Sequence, residues 1–392
     1  MEYLPPLYTP GHRPGVLKVN PGWAYVPPVR TNFILNLDRE ETTCDTGITL
    51  AEADRRRRQE FPFQDTNRYP TKLIEEALAR VIADNTGTQE NNVLVGNGSM
   101  SIMTYLYDIY ARPGDNITVP VPSFWPAYNY AMQRALGIYM PLYRRNANGS
   151  AAKPAFSFPG DEVRKALTKG SSICYICNPN NPTGTLIPFA EIHSLVEDFP
   201  EVLFIIDEAY GPFAANRLDP EKFDLTEAVD LVRSGFKNVA VMRTFSKIFA
   251  MANYRIGYMI SHEANVETVR AYMGPYDIDE IPLAMAYYNY RDNEFMKHIV
   301  RSINRNKFTY QTLLEENGIT HYGGYRNSVL VEGLDLGEGY ERMGIGVRSM
   351  IYPDRIPNPI ASTFRVTIPA DEKNFAFFMG VTRELLAENG VR

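Results

Sequence analysis

The sequence is poor in the residues that hold metals or covalent cross-links. Three cysteines (Cys44, Cys174, Cys177) among 392 residues cannot build a disulfide framework, so a reducing cytoplasm is the expected setting. Cys174 and Cys177 have a C-x-x-C spacing, but they lie in the apolar run 172–177. Residues three apart on a strand face opposite sides, so a shared metal or disulfide is disfavoured. The five histidines (His12, His193, His262, His298, His321) are scattered without ligand spacing, and no metal site or metal hydrolase is expected. Apolar runs such as 202–206 are strand-sized, far below the ~20 residues of a membrane span. The start, Met1-Glu2-Tyr3-Leu4-Pro5-Pro6, lacks the basic and apolar regions of a secretory signal. Positive charge is also short: 40 Lys and Arg against 46 Asp and Glu give a net charge of −6. Neither nucleic acid nor an anionic membrane is an expected partner. The one dense basic run, Arg55-Arg56-Arg57-Arg58, is flanked by Glu52, Asp54 and Glu60 and reads as a solvated helix face or a subunit contact.

What is present is an alternation of short apolar runs with amphipathic stretches. Strands are predicted near 92–95, 116–121, 173–177, 202–206, 239–242 and 256–260, with helical patterns at 73–82, 189–199 and 225–234. This is the pattern of an α/β domain with a largely parallel, buried sheet, expected over residues 46–275. A proline-rich N-terminal arm, 1–45, precedes it. A smaller α+β domain, 276–392, follows, with a helical stretch 281–317, strands near 329–332, 346–350 and 364–368, and a final helix over 372–388. No internal repeat or low-complexity tract is apparent.

Three polar segments fall at the carboxyl ends of predicted strands, where an open parallel sheet binds its ligand. They are Asn178-Pro179-Asn180-Asn181-Pro182-Thr183-Gly184, then Asp207-Glu208-Ala209-Tyr210, then Thr244-Phe245-Ser246-Lys247 with Arg255 eight residues beyond. Together they bring an amide, a carboxylate, an amine and hydroxyls to one crevice. A cofactor with an aldehyde, a ring nitrogen and a phosphate, namely pyridoxal 5′-phosphate, needs those groups. Deprotonating a free lysine at pH 7 costs about 4.6 kcal/mol. Holding Lys247 as a Schiff base removes that barrier, and the released amine can then move a proton. Asp207 facing the ring nitrogen is an ion pair of about 4 kcal/mol at a dielectric near 20. Asn181 and Tyr210 can hydrogen-bond the ring oxygen. Thr244, Ser246 and Arg255 can take the phosphate. The turn Gly96-Asn97-Gly98-Ser99-Met100 can join them, since it opens a helix whose first N–H groups lack partners. Phe124 offers a face for stacking on the ring.

These segments, in this order, resemble the fold-type I enzymes of the class I/II aminotransferases over residues 67 to 387. Asn67-Arg68-Tyr69-Pro70 and Val95-Gly96-Asn97-Gly98-Ser99 resemble the histidinol-phosphate aminotransferase-like branch. The resemblance implies a mainly parallel seven-stranded sheet flanked by helices, a smaller C-terminal α+β domain, and an arm lying over the active site. It also implies a homodimer with shared active sites, in which Tyr69 reaches the phosphate of the neighbouring subunit. Arg365 matches the arginine that clamps a substrate carboxylate, and Arg348 lies where the branch often binds a second anionic group. The sequence departs from the family in the arm, where Asp38-Arg39-Glu40-Glu41 replaces Asn-Glu-Asn. It departs again after Lys247, where the usual glycines are absent. These changes sit where substrate is chosen and point to a specialised metabolic role.

The expected reaction is transfer of an amino group from an amino acid, or an amine resembling one, to a 2-oxo acid. The alternative is another reaction of the same cofactor: decarboxylation, elimination or replacement, cyclisation or oxidation. A cofactor-binding regulator without turnover is disfavoured, because residues 1–45 are too short and proline-rich for a DNA-binding domain.

Overall fold

The computed structural model describes residues 2–4, 33–61, 69–146, 155–352 and 356–388. Most of the proline-rich arm, with His12, and the Asn67-Arg68 pair lie outside the described residues.

Eight strands form the central sheet: β1 (Glu2–Leu4), β2 (Val93–Gly96), β3 (Asn116–Thr118), β4 (Gly137–Met140), β5 (Ile173–Cys177), β6 (Leu203–Asp207), β7 (Val239–Thr244) and β8 (Gly257–Ser261). Their spatial order is β1-β4-β3-β5-β6-β7-β8-β2. The β4-β3-β5-β6-β7 block is parallel, and β8 runs antiparallel to both of its neighbours. The seven strands β2 to β8 are the mainly parallel sheet of the fold-type I α/β architecture; β1, from the arm, pairs antiparallel with β4 at the edge. That edge strand had no signature in the proline-rich arm.

Side chains alternate between two cores, one on each face of the sheet. Cys174 and Ile176 of β5 pack into one, while Ile173, Tyr175 and Cys177 pack into the other. β6 and β7 divide in the same way. Two buried faces explain why these strands read as continuous apolar runs rather than alternating ones. The two cysteines therefore point to opposite faces.

The second sheet is antiparallel, in the order β9 (His321–Tyr322), β10 (Ser328–Glu332), β12 (Thr363–Thr367), β11 (Arg348–Ser349). Two sequence expectations change here. The helical stretch 281–317 is two helices, Glu280–Arg291 and Glu294–Glu316, with Asp292 and Asn293, two poor helix formers, at the terminal positions that meet. Such residues favour caps over helix interiors. The predicted strand 346–350 is divided as well: Ile345–Gly346 pairs with Leu35–Asn36 of the arm, and only Arg348–Ser349 joins the second sheet.

The basic run lies on helix Leu50–Glu60. Arg57 is wholly buried, with salt bridges to Asp54 at 2.8 Å and Glu280 at 3.0 Å, whereas the other three arginines are exposed or partly exposed. One of the four is therefore a helix-to-helix tie rather than part of a solvated face.

From Ile34 to Thr43 the arm is laced to the second sheet and its flanking loops. Leu37 N–H donates to Gly346 O at 2.8 Å, and Thr367 N–H donates to Leu37 O at 2.9 Å. Ala370 N–H donates to Thr43 Oγ1 at 3.1 Å. This lacing carries the arm across the carboxyl end of the central sheet.

Candidate active site

Strand register aligns the sheet's polar end. Cys177 pairs with Asp207, and Asp207 with Met242. Further along the same edge, Thr244 pairs with Gly257, and Gly257 with Gly96. All three polar segments therefore emerge side by side, as the crevice rule requires.

Asp207 is 4% exposed, and its carboxylate accepts from the Tyr175 hydroxyl at 2.7 Å and the Ala209 N–H at 3.1 Å. Burial raises its pKa, against those two hydrogen bonds and the charge of Lys247. No ion pair to Asp207 occurs among the described residues. Tyr175, which orients it, lies inside an apolar run and gave no sign of this role. Lys247 is half-buried, and its Nζ donates to Arg39 O at 2.9 Å. Burial lowers its pKa, opposed chiefly by the carboxylate of Glu40. An amine with a lowered pKa is available as a nucleophile.

The hydroxyls and the arginine meet on the far side. Thr244 Oγ1 donates to Ser246 Oγ at 3.0 Å and accepts from Ser246 N–H at 3.1 Å. Arg255 Nη1 donates to Ser246 Oγ at 3.3 Å. Ser99 and Met100 lie in the first turn of helix Gly98–Tyr110, whose N-cap Asn97 makes no side-chain cap. Two glycines permit this closeness. A Cβ on Gly98 would stand 2.6 Å from Arg255 Nη2, and one on Gly257 would stand 2.4 Å from Ser99 N. Phe124, half-buried, is the N-cap of helix Trp125–Gln133. Asn180 Nδ2 ties the preceding loop to the crevice by donating to Pro122 O at 2.9 Å.

A cofactor carrying an aldehyde, a basic ring nitrogen and a phosphate fits this set. Among the described residues the buried Asp207 carboxylate has no ion-pair partner, burial lowers the Lys247 pKa, and the Thr244 and Ser246 hydroxyls lie with the Arg255 guanidinium near the first turn of helix Gly98–Tyr110.

The remaining site residues belong to a network that the sequence reading missed. Glu40, 2% exposed, lies at its centre. Its Oε2 accepts from Tyr210 OH at 2.6 Å and Asn181 Nδ2 at 2.9 Å, and lies 3.0 Å from Arg365 Nη1. Its Oε1 accepts from Ser328 Oγ at 2.9 Å and from Arg326 Nη1. Burial alone would raise the Glu40 pKa, but Arg365, Arg326 and Lys247 outweigh it and hold the group at about 2. Asn181 Oδ1 accepts from both arginines at 3.1 Å. The side chains of Asn181 and Tyr210 therefore face Glu40.

Arg326 reaches this point through a close backbone contact. Gly184 (φ +70°) and Gly324 (φ +52°) touch so closely that a Cβ on Gly184 would lie 2.7 Å from Gly324 Cα. Lys307 supports the turn from beneath, donating to Gly324 O at 2.8 Å and Arg326 O at 2.6 Å. The Gly323-Gly324 pair before the strand was the available signal for Arg326. Arg348 pairs across strands with Arg365, placing both on one face of the second sheet. Tyr69 is set apart from the network: it is 76% exposed and stacks on Tyr276 with ring centroids 4.3 Å apart.

The chain is similar to known proteins in sequence and in fold. The sequence pattern of the family "Aminotransferase class I and II" matches residues 34–373. A histidinol-phosphate aminotransferase 2 of Bacillus cereus is 28% identical over 304 residues, 76% of this chain and 75% of the relative. That of Oceanobacillus iheyensis is 29% identical over 313 residues, 79% of this chain and 80% of the relative. The crystal structure of histidinol-phosphate aminotransferase from Sinorhizobium meliloti, in complex with pyridoxal-5′-phosphate, superposes with a TM-score of 0.76 at 17% identity, covering 91% of this chain and 92% of that one. L-threonine-O-3-phosphate decarboxylase from Porphyromonas gingivalis superposes with a TM-score of 0.67 at 18% identity, covering 90% and 100%.

Proposed function

The chain belongs to the class I and II aminotransferases, in the histidinol-phosphate aminotransferase-like branch, and from that premise we propose how its residues divide the work. It is a pyridoxal 5′-phosphate enzyme. When bound, the cofactor supplies an electron sink that makes a Cα proton acidic. Lys247 is the covalent anchor and the base that moves that proton. Its lowered pKa supports both roles. Asp207, oriented by Tyr175 and the Ala209 N–H, holds a proton on the ring nitrogen side. Asn181 and Tyr210 would hold the ring oxygen of the bound cofactor, and Phe124 would offer a face to its ring. Thr244, Ser246, Arg255 and the N–H groups of Ser99 and Met100 hold the phosphate. Arg365 binds the carboxylate of the amino-group donor or acceptor, with Arg348 beside it on the sheet for a second anionic group.

The reaction proposed is amino transfer between an amino acid, or an amine resembling one, and a 2-oxo acid. One observation carries this reading above the rest: at one end of the sheet, an amine of lowered pKa and a buried carboxylate with no ion-pair partner among the described residues lie beside the Thr244, Ser246 and Arg255 cluster. The test is to incubate the holoenzyme with a panel of amino acids and phosphorylated amines. A shift of cofactor absorbance to its amine form, with a 2-oxo product of matching mass, supports transfer; release of CO₂ without that shift refutes it.

Three further assignments belong to this proposal. The chain divides into an arm (1–45), a large domain (46–275) and a small domain (276–392). Two copies pair, with the exposed Tyr69 and Tyr276 at the contact so that Tyr69 reaches the partner's phosphate site; sedimentation of a Tyr69→Ser variant tests this. The working compartment is the cytoplasm. No described helix is long and apolar enough to cross a membrane.

A further inference from the structure

Glu40 has more polar contacts than any purely local role requires. Arg326, Arg365, Asn181, Tyr210 and Ser328 all contact its carboxylate. Its backbone is pinned as well: Glu40 N–H donates to Thr367 Oγ1 at 3.0 Å, and Asn327 Nδ2 donates to Glu40 O at 3.1 Å. The residue holds φ +58°, in the left-handed region that side chains other than glycine rarely adopt. Residues held there are over-determined by their surroundings and concentrate at working sites. The arm is therefore shaped to deliver a carboxylate to this point.

The two carboxylate oxygens have different partners. Oε1 is held by Arg326, 1% exposed, and by Ser328, on the inner side. Oε2 meets Arg365, Asn181 and Tyr210, the groups that line the crevice around Lys247. Arg365 is the more accessible arginine, with 11% of its side chain exposed. A carboxylate entering from the crevice would meet the partners of Oε2 and leave those of Oε1 untouched.

Resting on the reading of Arg365 as the substrate-carboxylate residue, we propose that Glu40 is a specificity-determining internal carboxylate. It occupies the anion position at Arg365 until a substrate carboxylate displaces its Oε2, pivoting on Arg326 and Ser328. Substrates with a carboxylate beside the reacting carbon work against this competitor, whereas amines without one do not.

Acetate is the simplest probe of the exchange. Thermal unfolding of the holoenzyme over an acetate series, at constant ionic strength set by chloride, gives its apparent affinity. The holoenzyme is used so that the cofactor's own phosphate fills the Arg255 cluster. Glu40→Gln removes the competing charge and should bind acetate at least tenfold tighter than wild type. The added Arg365→Met substitution should abolish the gain. Equal or weaker binding by Glu40→Gln, or a gain that survives in the double variant, overturns the proposal. Should Glu40→Gln fail to fold, Ser328→Ala decides. It loosens the pivot by one hydrogen bond and should tighten acetate about threefold, and no gain there refutes the exchange. No amino donor is present, so this experiment can fail while amino transfer is observed, or succeed while it is not.

Discussion

At one end of the crevice Thr244, Ser246, Arg255 and the opening turn of helix Gly98–Tyr110 converge, and no carboxylate forms an ion pair with Arg255 among the described residues. At the other end Arg326 and Arg365 converge, and the chain supplies the anion itself as Glu40. Both corners are built for negative charge. The first uses backbone N–H groups, two buried neutral hydroxyls bonded to each other, and one exposed guanidinium, so its only charged group stays in water before a ligand arrives. The second buries the Arg326 guanidinium wholly and that of Arg365 mostly, and burying charge is costly unless it is paired. An internal counter-ion follows from that burial. The physical difference is exposure: an anion site open to water can wait for its ligand, whereas a buried one has to be neutralised on folding.

The test with the largest expected effect leaves both corners intact and removes the amine between them. Lys247→Ala should cost at least a thousandfold in amino-transfer rate and abolish the covalently bound cofactor's absorbance. Loss of absorbance with activity retained would separate anchoring from proton transfer.

Next comes the buried corner. Arg326→Ala strands Glu40 with one fewer cation and should destabilise the fold by about 3–5 kcal/mol in denaturant titration. If the loss is below ~1 kcal/mol, the corner is hydrated and the contrast between the two sites fails.

The same corner should report through pH. Glu40 titrates at about 2 when folded, against an ordinary value of 4.5. The unfolded chain therefore binds the proton first as pH falls. The stabilisation is complete above 4.5 and is lost as pH falls from 4.5 towards 2, on the order of 3 kcal/mol in all. The measurement is unfolding free energy against pH, with Glu40→Gln expected to flatten that part of the curve.

The two corners also differed in how far the sequence revealed them. The open corner was legible because its residues sit at strand ends within a few positions of one another: Thr244, Ser246 and Lys247 are consecutive or nearly so, and Arg255 follows at a fixed offset. The sheet was legible for the same local reason, since strands buried on both faces announce themselves as apolar runs. Glu40 and Arg326 are 286 residues apart, and beyond the Gly323-Gly324 pair before Arg326 nothing local marks either as a partner. Glu40 stands in a mixed-charge stretch that looks like surface, and Arg326 follows a glycine turn that looks like a loop. Only the tertiary contact of Gly184 with Gly324, and the lacing of the arm to β12, brings them together. The split of the 281–317 helical stretch escaped for a different reason: its apolar spacing is maintained across the Asp292-Asn293 break.

The smallest expected effect belongs to the exposed arginine, and it completes the contrast. Arg255→Ala removes a hydrogen bond to Ser246 and a positive charge from the hydroxyl cluster, but it leaves no buried charge behind. Hydrogen bonds to charged groups contribute about 1.5–3 kcal/mol, so cofactor affinity should fall roughly 10- to 100-fold. Fold stability of the cofactor-free protein should change by less than about 0.5 kcal/mol, as for other surface substitutions. Equilibrium dialysis against pyridoxal 5′-phosphate gives the first number, and denaturant unfolding of the cofactor-free protein gives the second. A large stability loss would show that Arg255 is as structurally committed as Arg326. The distinction between an anion site that waits for its ligand and one that is filled on folding would then disappear.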